Sequence, residues 1–76
     1  MRRERYNEIA VQSVVERLKE VRHFRGLSQD DVYIDTDINI ARIEAGRGNV
    51  SVSTLADLCN YYEISFEEFF KGVLTK

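Results

Sequence analysis

Two short helical patterns stand directly next to each other in the middle of this 76-residue sequence, and they constrain its fold more than any other feature. The first begins at Ser28, which has an acid three residues later, the arrangement of a reciprocal N-terminal helix cap. The helix that follows is predicted to be short and to end near Asp35. Its inward-facing residues are expected to be Val32 and either Tyr33 or Ile34.

The second pattern predicts a helix over Thr36–Ala45, with Thr36 as its N-cap and Gly46 as its stop signal. Ile40 and Ile43 fall on its inner face because they are three residues apart. Since almost no residues separate this helix from the preceding one, the pair predicts a tight corner of helix-turn-helix shape. The outer face of the helix is more polar and carries Asp37, Ile38, Asn39, Ala41 and Arg42.

Three more helices flank this corner. Aliphatic residues recur at three- and four-residue spacings over about residues 8 to 25, which predicts an amphipathic first helix that ends at Gly26. Ser51 or Ser53 is expected to cap a fourth helix, and Ser65 a short fifth helix. No stretch alternates at period two, so the sequence predicts an all-α, five-helix single domain over residues 1–76. The residues expected on the inner faces of the first and fourth helices are Val11, Val14, Val15, Leu18, Val21, Val52, Leu55, Leu58, Cys59 and Tyr62.

The N-terminal residues 1–8 fit two structures. Tyr6, with Ile9 or Ala10, would continue the apolar stripe of the first helix. Arg2, Arg3 and Arg5 fit equally well in a loose basic arm, which adds attraction to an anionic partner or enters a minor groove.

Charge is distributed unevenly along the chain. The formal net charge is −2, but residues 1–29 hold seven Lys or Arg against four Glu, and residues 30–41 hold four Asp and no base. Positive charge is therefore local, which is compatible with an anionic partner.

Several classes of protein are not expected. Cys59 is the only cysteine, which excludes an internal disulfide and favours a small core residue. His23 has no partner at a known catalytic or metal-binding spacing, so no enzyme, cofactor or metal site is expected. No apolar run approaches the roughly 20 residues that span a bilayer, and the N-terminal Met-Arg-Arg-Glu-Arg is not followed by an apolar stretch long enough for a signal peptide. We therefore expect a cytoplasmic protein without membrane contact.

The sequence resembles the XRE family, the Cro and lambda-repressor-like helix-turn-helix proteins. Leu18-Lys-Glu-Val-Arg-His-Phe-Arg-Gly-Leu-Ser-Gln29 is similar to the first helix and the entry to the second, and Ile40-Ala-Arg-Ile-Glu-Ala-Gly46 to the recognition helix. Residues 49–69 are similar to the fourth and fifth helices in spacing. One departure is that the stretch between Gln29 and Ile40 is about three residues shorter than the commonest pattern. The glycine usual in the turn is also missing.

The resemblance implies a transcriptional regulator that binds double-stranded DNA. The resemblance also places several base-contacting residues near the major groove. Among them, Asn39 suits adenine and Arg42 suits guanine, because each can form two hydrogen bonds with that base. Arg47, in a glycine-flanked loop, suits a phosphate. The implied base contacts are Thr36, Asp37, Ile38, Asn39 and Arg42, and the implied phosphate contacts are Gln29, Arg47 and Asn49.

Three further expectations concern structure and partners. The resemblance implies a partly buried ion pair between Arg22 and Glu44 that orients the recognition helix. The dense aromatic residues near the C-terminus suggest a homodimer. The alternative function is a protein-interaction module, antitoxin-like or a regulatory partner, whose acidic second helix meets a basic protein. The predicted dimer surface consists of Phe69, Phe70, Val73, Leu74 and nearby aromatic residues.

Overall fold

The computed structural model describes residues 7–73, which form five α-helices and no strand. The predicted all-α, five-helix fold is confirmed. The predictions for Arg2, Arg3, Arg5, Tyr6 and Leu74 lie outside the described residues. The helices are α1 (Glu8–Phe24), α2 (Gln29–Thr36), α3 (Ile40–Glu44), α4 (Val52–Tyr62) and α5 (Phe66–Phe70).

Each helix begins after a serine or an asparagine that acts as its N-cap. In every case the side-chain oxygen accepts a hydrogen bond from the backbone N–H three residues later, which satisfies one of the unpaired donors of the first turn. Ser28 also donates its own N–H to the Asp31 carboxylate at 2.9 Å, so the predicted reciprocal cap is confirmed. The five N-caps are Asn7, Ser28, Asn39, Ser51 and Ser65.

The core lies where α1, α2, α4 and α5 meet around Ile40 of α3. Tyr62 and Phe69 are the largest side chains that are fully buried, and Cys59 is a buried free thiol, as predicted. Burial raises the pKa of this thiol. The buried apolar residues are Val15, Leu18, Val21, Val32, Ile40, Leu55, Leu58, Cys59, Tyr62 and Phe69.

Three residues predicted to face inward are exposed. Val32 is buried and Thr36, one turn later on the same side of α2, is half-buried. Tyr33 and Ile34 are rotated away from this row, so they are 52% and 78% exposed, and the prediction for both was wrong. Val52, the first residue of α4, is 72% exposed because the inner row of that helix begins at Leu55.

Phe69 belongs to the core and not to an outer surface, which corrects its predicted place in a dimer interface. Its side chain is fully buried, and the Arg17 guanidinium lies 5.9 Å from the ring centroid. Phe66 and Phe70 remain 40% and 42% exposed. Their rings pack in a T-shaped arrangement, with the centroids 5.7 Å apart. Any apolar surface on α5 is therefore formed by these two rings, with Val73 half-buried beside the core.

Arg17 of α1 and Arg25, the C-cap of α1, bind the carboxyl ends of the last two helices. Arg17 donates to the carbonyl oxygens of Phe69 and Glu68 at 2.8 and 2.9 Å. Arg25 donates to those of Tyr62 and Glu63 at 2.7 and 3.1 Å. Terminal carbonyls lack partners within their own helix, and a cation there also suits the helix dipole. Both arginines are thereby structural, which the sequence did not indicate.

Candidate nucleic-acid interface

The turn between α2 and α3 consists of only three residues, 37–39. Thr36, predicted as the N-cap of α3, is instead the last residue of α2. Its hydroxyl donates to the Val32 carbonyl at 2.7 Å and accepts from the Ile38 N–H at 3.1 Å. The hydroxyl therefore closes α2 and supports the turn, and the prediction that Thr36 starts the next helix was wrong.

Asp37 takes the place of the glycine that is usual in this turn. Its backbone has φ 62° and ψ 18°, the left-handed conformation, and its N–H donates to the Tyr33 carbonyl. Aspartate is one of the few residues with a side chain that tolerate this conformation. Asp37 is therefore the C-cap of α2, which explains how a chain without a glycine here still makes a sharp turn.

Helix α3 is shorter than predicted. It covers Ile40–Glu44 rather than Thr36–Ala45, and five residues make little more than one turn. Ile40 is buried and Ile43 half-buried against the core, so Ala41 and Arg42 are the exposed residues within the helix. Gly46, with φ 76°, follows the end of the helix as predicted.

Asn39 is exposed, and its side chain also has a structural role. Its Oδ1 accepts the Arg42 backbone N–H at 3.0 Å, so the side chain caps α3. This oxygen is half of the pair that bidentate recognition of adenine requires. Because the cap holds Oδ1, it also fixes the direction in which the Nδ2 group of the same amide points. Ile38 is half-buried against the core and offers little surface to a base.

Arg22 and Glu44 lie together in a buried ion pair between α1 and α3. Arg22 Nε and Nη2 donate to the two Glu44 oxygens at 2.7 and 2.9 Å, the bidentate geometry that arginine favours. The side chains are 9% and 3% exposed. Arg22 Nη1 also donates to the Leu27 carbonyl, so the same guanidinium holds the loop before α2.

Gln29 is part of this buried network. Its Nε2 donates to Glu44 Oε1 at 2.9 Å, which ties the start of α2 to the end of α3. The Nε2 group has two hydrogens, so the bond to Glu44 leaves one of them, together with backbone N–H groups of the first turn of α2, to meet an anion. The predicted phosphate contact by Gln29, through its amide and these backbone N–H groups, stays a prediction.

The network shifts the pKa of both charged groups. Burial alone raises the pKa of the Glu44 carboxyl, but hydrogen bonds from Arg22 and Gln29 and the charges of Arg22 and Lys19 outweigh it, and the pKa lies below its ordinary value. The hydrogen bond to Glu44 raises the pKa of Arg22. Both groups are thus held in their charged forms, and the pair fixes how α3 sits on α1.

The loop after α3 is exposed. Arg47 and Asn49 lie in it at the surface, and Gly46 and Gly48 both have positive φ, at 76° and 81°. Within residues 7–73 neither Arg42 nor Arg47 forms an ion pair or a side-chain hydrogen bond. These two guanidinium groups are therefore available to an external anion from the helix and from the loop that follows it.

The comparisons with known proteins agree with this geometry. A family model described as a helix-turn-helix domain matches residues 15–74, most of the chain. Neither the curated proteins nor the solved structures give a match. None of the described helices has the length and apolar character needed to cross a membrane. By its five helices, its α2–α3 corner and this match, the chain belongs to the XRE-type helix-turn-helix family.

Proposed function

We propose that the protein is a sequence-specific, DNA-binding transcriptional regulator that presents α3 and the following loop to the major groove of double-stranded DNA. The observation that carries the proposal is the pair of exposed arginines, Arg42 on α3 and Arg47 in the loop, that have no carboxylate partner within residues 7–73. An α-helix fits the major groove, where arginine reads guanine, and loop arginines bind the phosphates on either side. The buried Arg22–Glu44 pair keeps α3 in one orientation.

A titration of double-stranded DNA at several salt concentrations tests the proposal. The affinity of the wild type should fall steeply with salt, because each neutralised phosphate releases counterions. Arg47→Ala should weaken all sequences alike and reduce the salt slope by about one, whereas Arg42→Ala should relax the preference at particular base pairs. Lys71→Ala, a cation on the distant C-cap of α5, is the control. Absence of binding at about 50 mM salt refutes the proposal.

The proposed regulator is a homodimer that reads two half-sites about one helical turn apart. The exposed pair Phe66 and Phe70 on α5 supports this part, because apolar surface of this kind is typical of interfaces. We expect sedimentation at micromolar concentration to give twice the chain mass of 8.9 kDa. Phe70→Asp should give the monomer, and Phe24→Asp, on an aromatic residue that is 81% exposed, should not.

The second candidate function is a protein-interaction module on the same fold. It is favoured by Ile34, which is 78% exposed on α2 among the exposed carboxylates of Asp30, Asp31 and Asp35. This surface suits a partner with an apolar side chain surrounded by bases. The DNA titration separates the two functions. A protein that is folded but binds no DNA at low salt supports the interaction module.

A further inference from the structure

The short helix α3 leaves part of the proposed DNA-binding surface without long side chains. The sequence between Gln29 and Ile40 is shorter than usual for the family, and α2 keeps eight residues, so the shortening falls on the turn and the start of α3. Base edges are usually read from the N-terminal part of the recognition helix. Here that part offers Ala41 and the capping residue Asn39.

A cleft lies at this position between α2 and α3. Its volume is about 160 Å³, and Tyr33 of α2 forms one wall, opposite Asn39 and Ala41. Tyr33 is 52% exposed, so its phenol ring reaches the surface beside the start of α3. The remaining lining residues are Gln29, Asp30 and Ile40.

The lining of the cleft determines which part of DNA it suits. It contains no cation and one carboxylate, Asp30, so it would repel a phosphate. A phenol hydroxyl donates and accepts hydrogen bonds, and a carboxylate accepts from the amino groups of adenine or cytosine, which the major groove exposes. The ring of Tyr33 offers an apolar surface to a thymine methyl group.

The geometry points to Tyr33 as a base-contacting residue that acts from α2 beside Arg42 of α3 and supplies the long side chain that the N-terminal part of the short α3 lacks. This inference rests on the proposed DNA-binding function. It assigns to α2 a share of sequence discrimination, in addition to positioning the protein on the backbone. Ile34, the next residue, is more exposed but does not line the cleft, and it therefore serves as the matched control.

The test begins with the full chain and a random pool of duplexes from which bound sites are selected. Dissociation constants are then measured on the selected duplex and on all its single-base-pair variants. Tyr33→Ala should weaken binding to the selected duplex about tenfold and remove discrimination at one or two neighbouring base pairs. Tyr33→Phe keeps the ring and should weaken binding about threefold at the same base pairs. Ile34→Ala should change neither quantity by more than about twofold.

Two outcomes overturn the inference while the proposed function stands. One is Tyr33→Ala with unchanged discrimination at every base pair. The other is uniform weakening across all duplexes, which would place Tyr33 on a phosphate. A wild type that binds no duplex refutes the proposed function itself, and the inference with it. Thermal melting should show both Tyr33 variants folded, because the side chain is half exposed.

Discussion

Replacing Arg22 by methionine should destabilise the domain more than any exposed charge change. Methionine keeps the apolar stem of the side chain and removes the guanidinium. Glu44, whose side chain is 3% exposed, then keeps only the Gln29 amide and loses both hydrogen bonds from Arg22, at 2.7 and 2.9 Å. A buried carboxylate without its counter-charge is costly because the Gln29 amide and the charge of Lys19, which remain, do not replace the two lost hydrogen bonds.

The expected loss in free energy of unfolding is about 3 to 5 kcal/mol, the range for breaking one partner of a buried pair. A domain of 76 residues has a total stability of roughly 4 to 11 kcal/mol at about 0.05 to 0.15 kcal/mol per residue. The substitution therefore removes a large part of the stability. Lys71→Met, which breaks an exposed 3.6 Å pair with Glu68, should cost no more than about 0.5 kcal/mol.

Urea unfolding followed by circular dichroism measures both variants, and equal m-values show that the unfolded states are comparable. A loss below about 1 kcal/mol for Arg22→Met, at unchanged m-value, would refute the reasoning, since the pair would then behave as an exposed one.

The pH dependence gives an independent check of the same pair. The pKa of Glu44 is lowered in the folded state, so its contribution is complete above the ordinary value of 4.5 and is lost as the pH falls below it. The unfolding free energy of the wild type should therefore fall between about pH 5 and the lowered folded-state pKa. Glu44→Gln cannot titrate, and its stability should fall less over this interval.

Three smaller predictions use the same urea titration. Arg17→Met removes two hydrogen bonds to the carbonyl end of α5 and should lower the free energy of unfolding by about 2 kcal/mol, a value that allows for the partial exposure of the side chain. A loss near zero would contradict the role of Arg17 in capping α5. Tyr62→Phe removes a buried hydroxyl that has no hydrogen-bond partner among the described residues, so stability should stay within about 1 kcal/mol or rise, and a large loss would reveal a partner. The free energy of unfolding of Asp37→Gly should stay within about 1 kcal/mol of the wild type, because glycine accepts the left-handed backbone of this position. That of Asp37→Val should fall by about 1 to 3 kcal/mol, because valine does not. Equal stability of the two variants would contradict the left-handed conformation.

The parts of the fold that depend on neighbouring residues could be predicted from the sequence. Ser28, Ser51 and Ser65 cap their helices as expected, because the capping bond joins residues three apart. Gly26 and Gly46 both have positive φ after a helix end. Together with the family resemblance, these local signals were sufficient for the number and order of the helices.

The boundary between α2 and α3 could not be predicted in the same way. Thr36 and Asn39 are both N-capping residue types, although asparagine is preferred, and the observed hydroxyl bonds of Thr36 to Val32 and Ile38 place it at the end of α2. Asp37 in the left-handed conformation was unexpected because aspartate favours the first turn of a helix as well. Thr36, a predicted base contact, thus lies at the end of α2, where its hydroxyl supports the turn.

The roles of several polar side chains could also not be predicted from the sequence, because they depend on residues far away in the chain. Arg17 and its carbonyl partners on α5 are 51 and 52 positions apart, and no local pattern indicates such a bond. Gln29 was assigned to a phosphate, yet its amide meets Glu44 fifteen positions later. An arginine beside the apolar stripe of a helix, as at Arg17 and Arg22, indicates that the side chain has a buried partner but does not identify that partner.

The central claim is that α3 and the following loop form the DNA-binding surface, and chemical-shift mapping tests it most directly. A mixed-sequence duplex is titrated into ¹⁵N-labelled protein at low salt, and the backbone amide resonances are followed. The claim predicts that the largest shifts fall on residues 39–42 and 46–49, with smaller shifts at the start of α2, and that Arg47→Ala reduces them at equal DNA concentration. Shifts confined to α5, or to the acidic outer residues of α2, would contradict it.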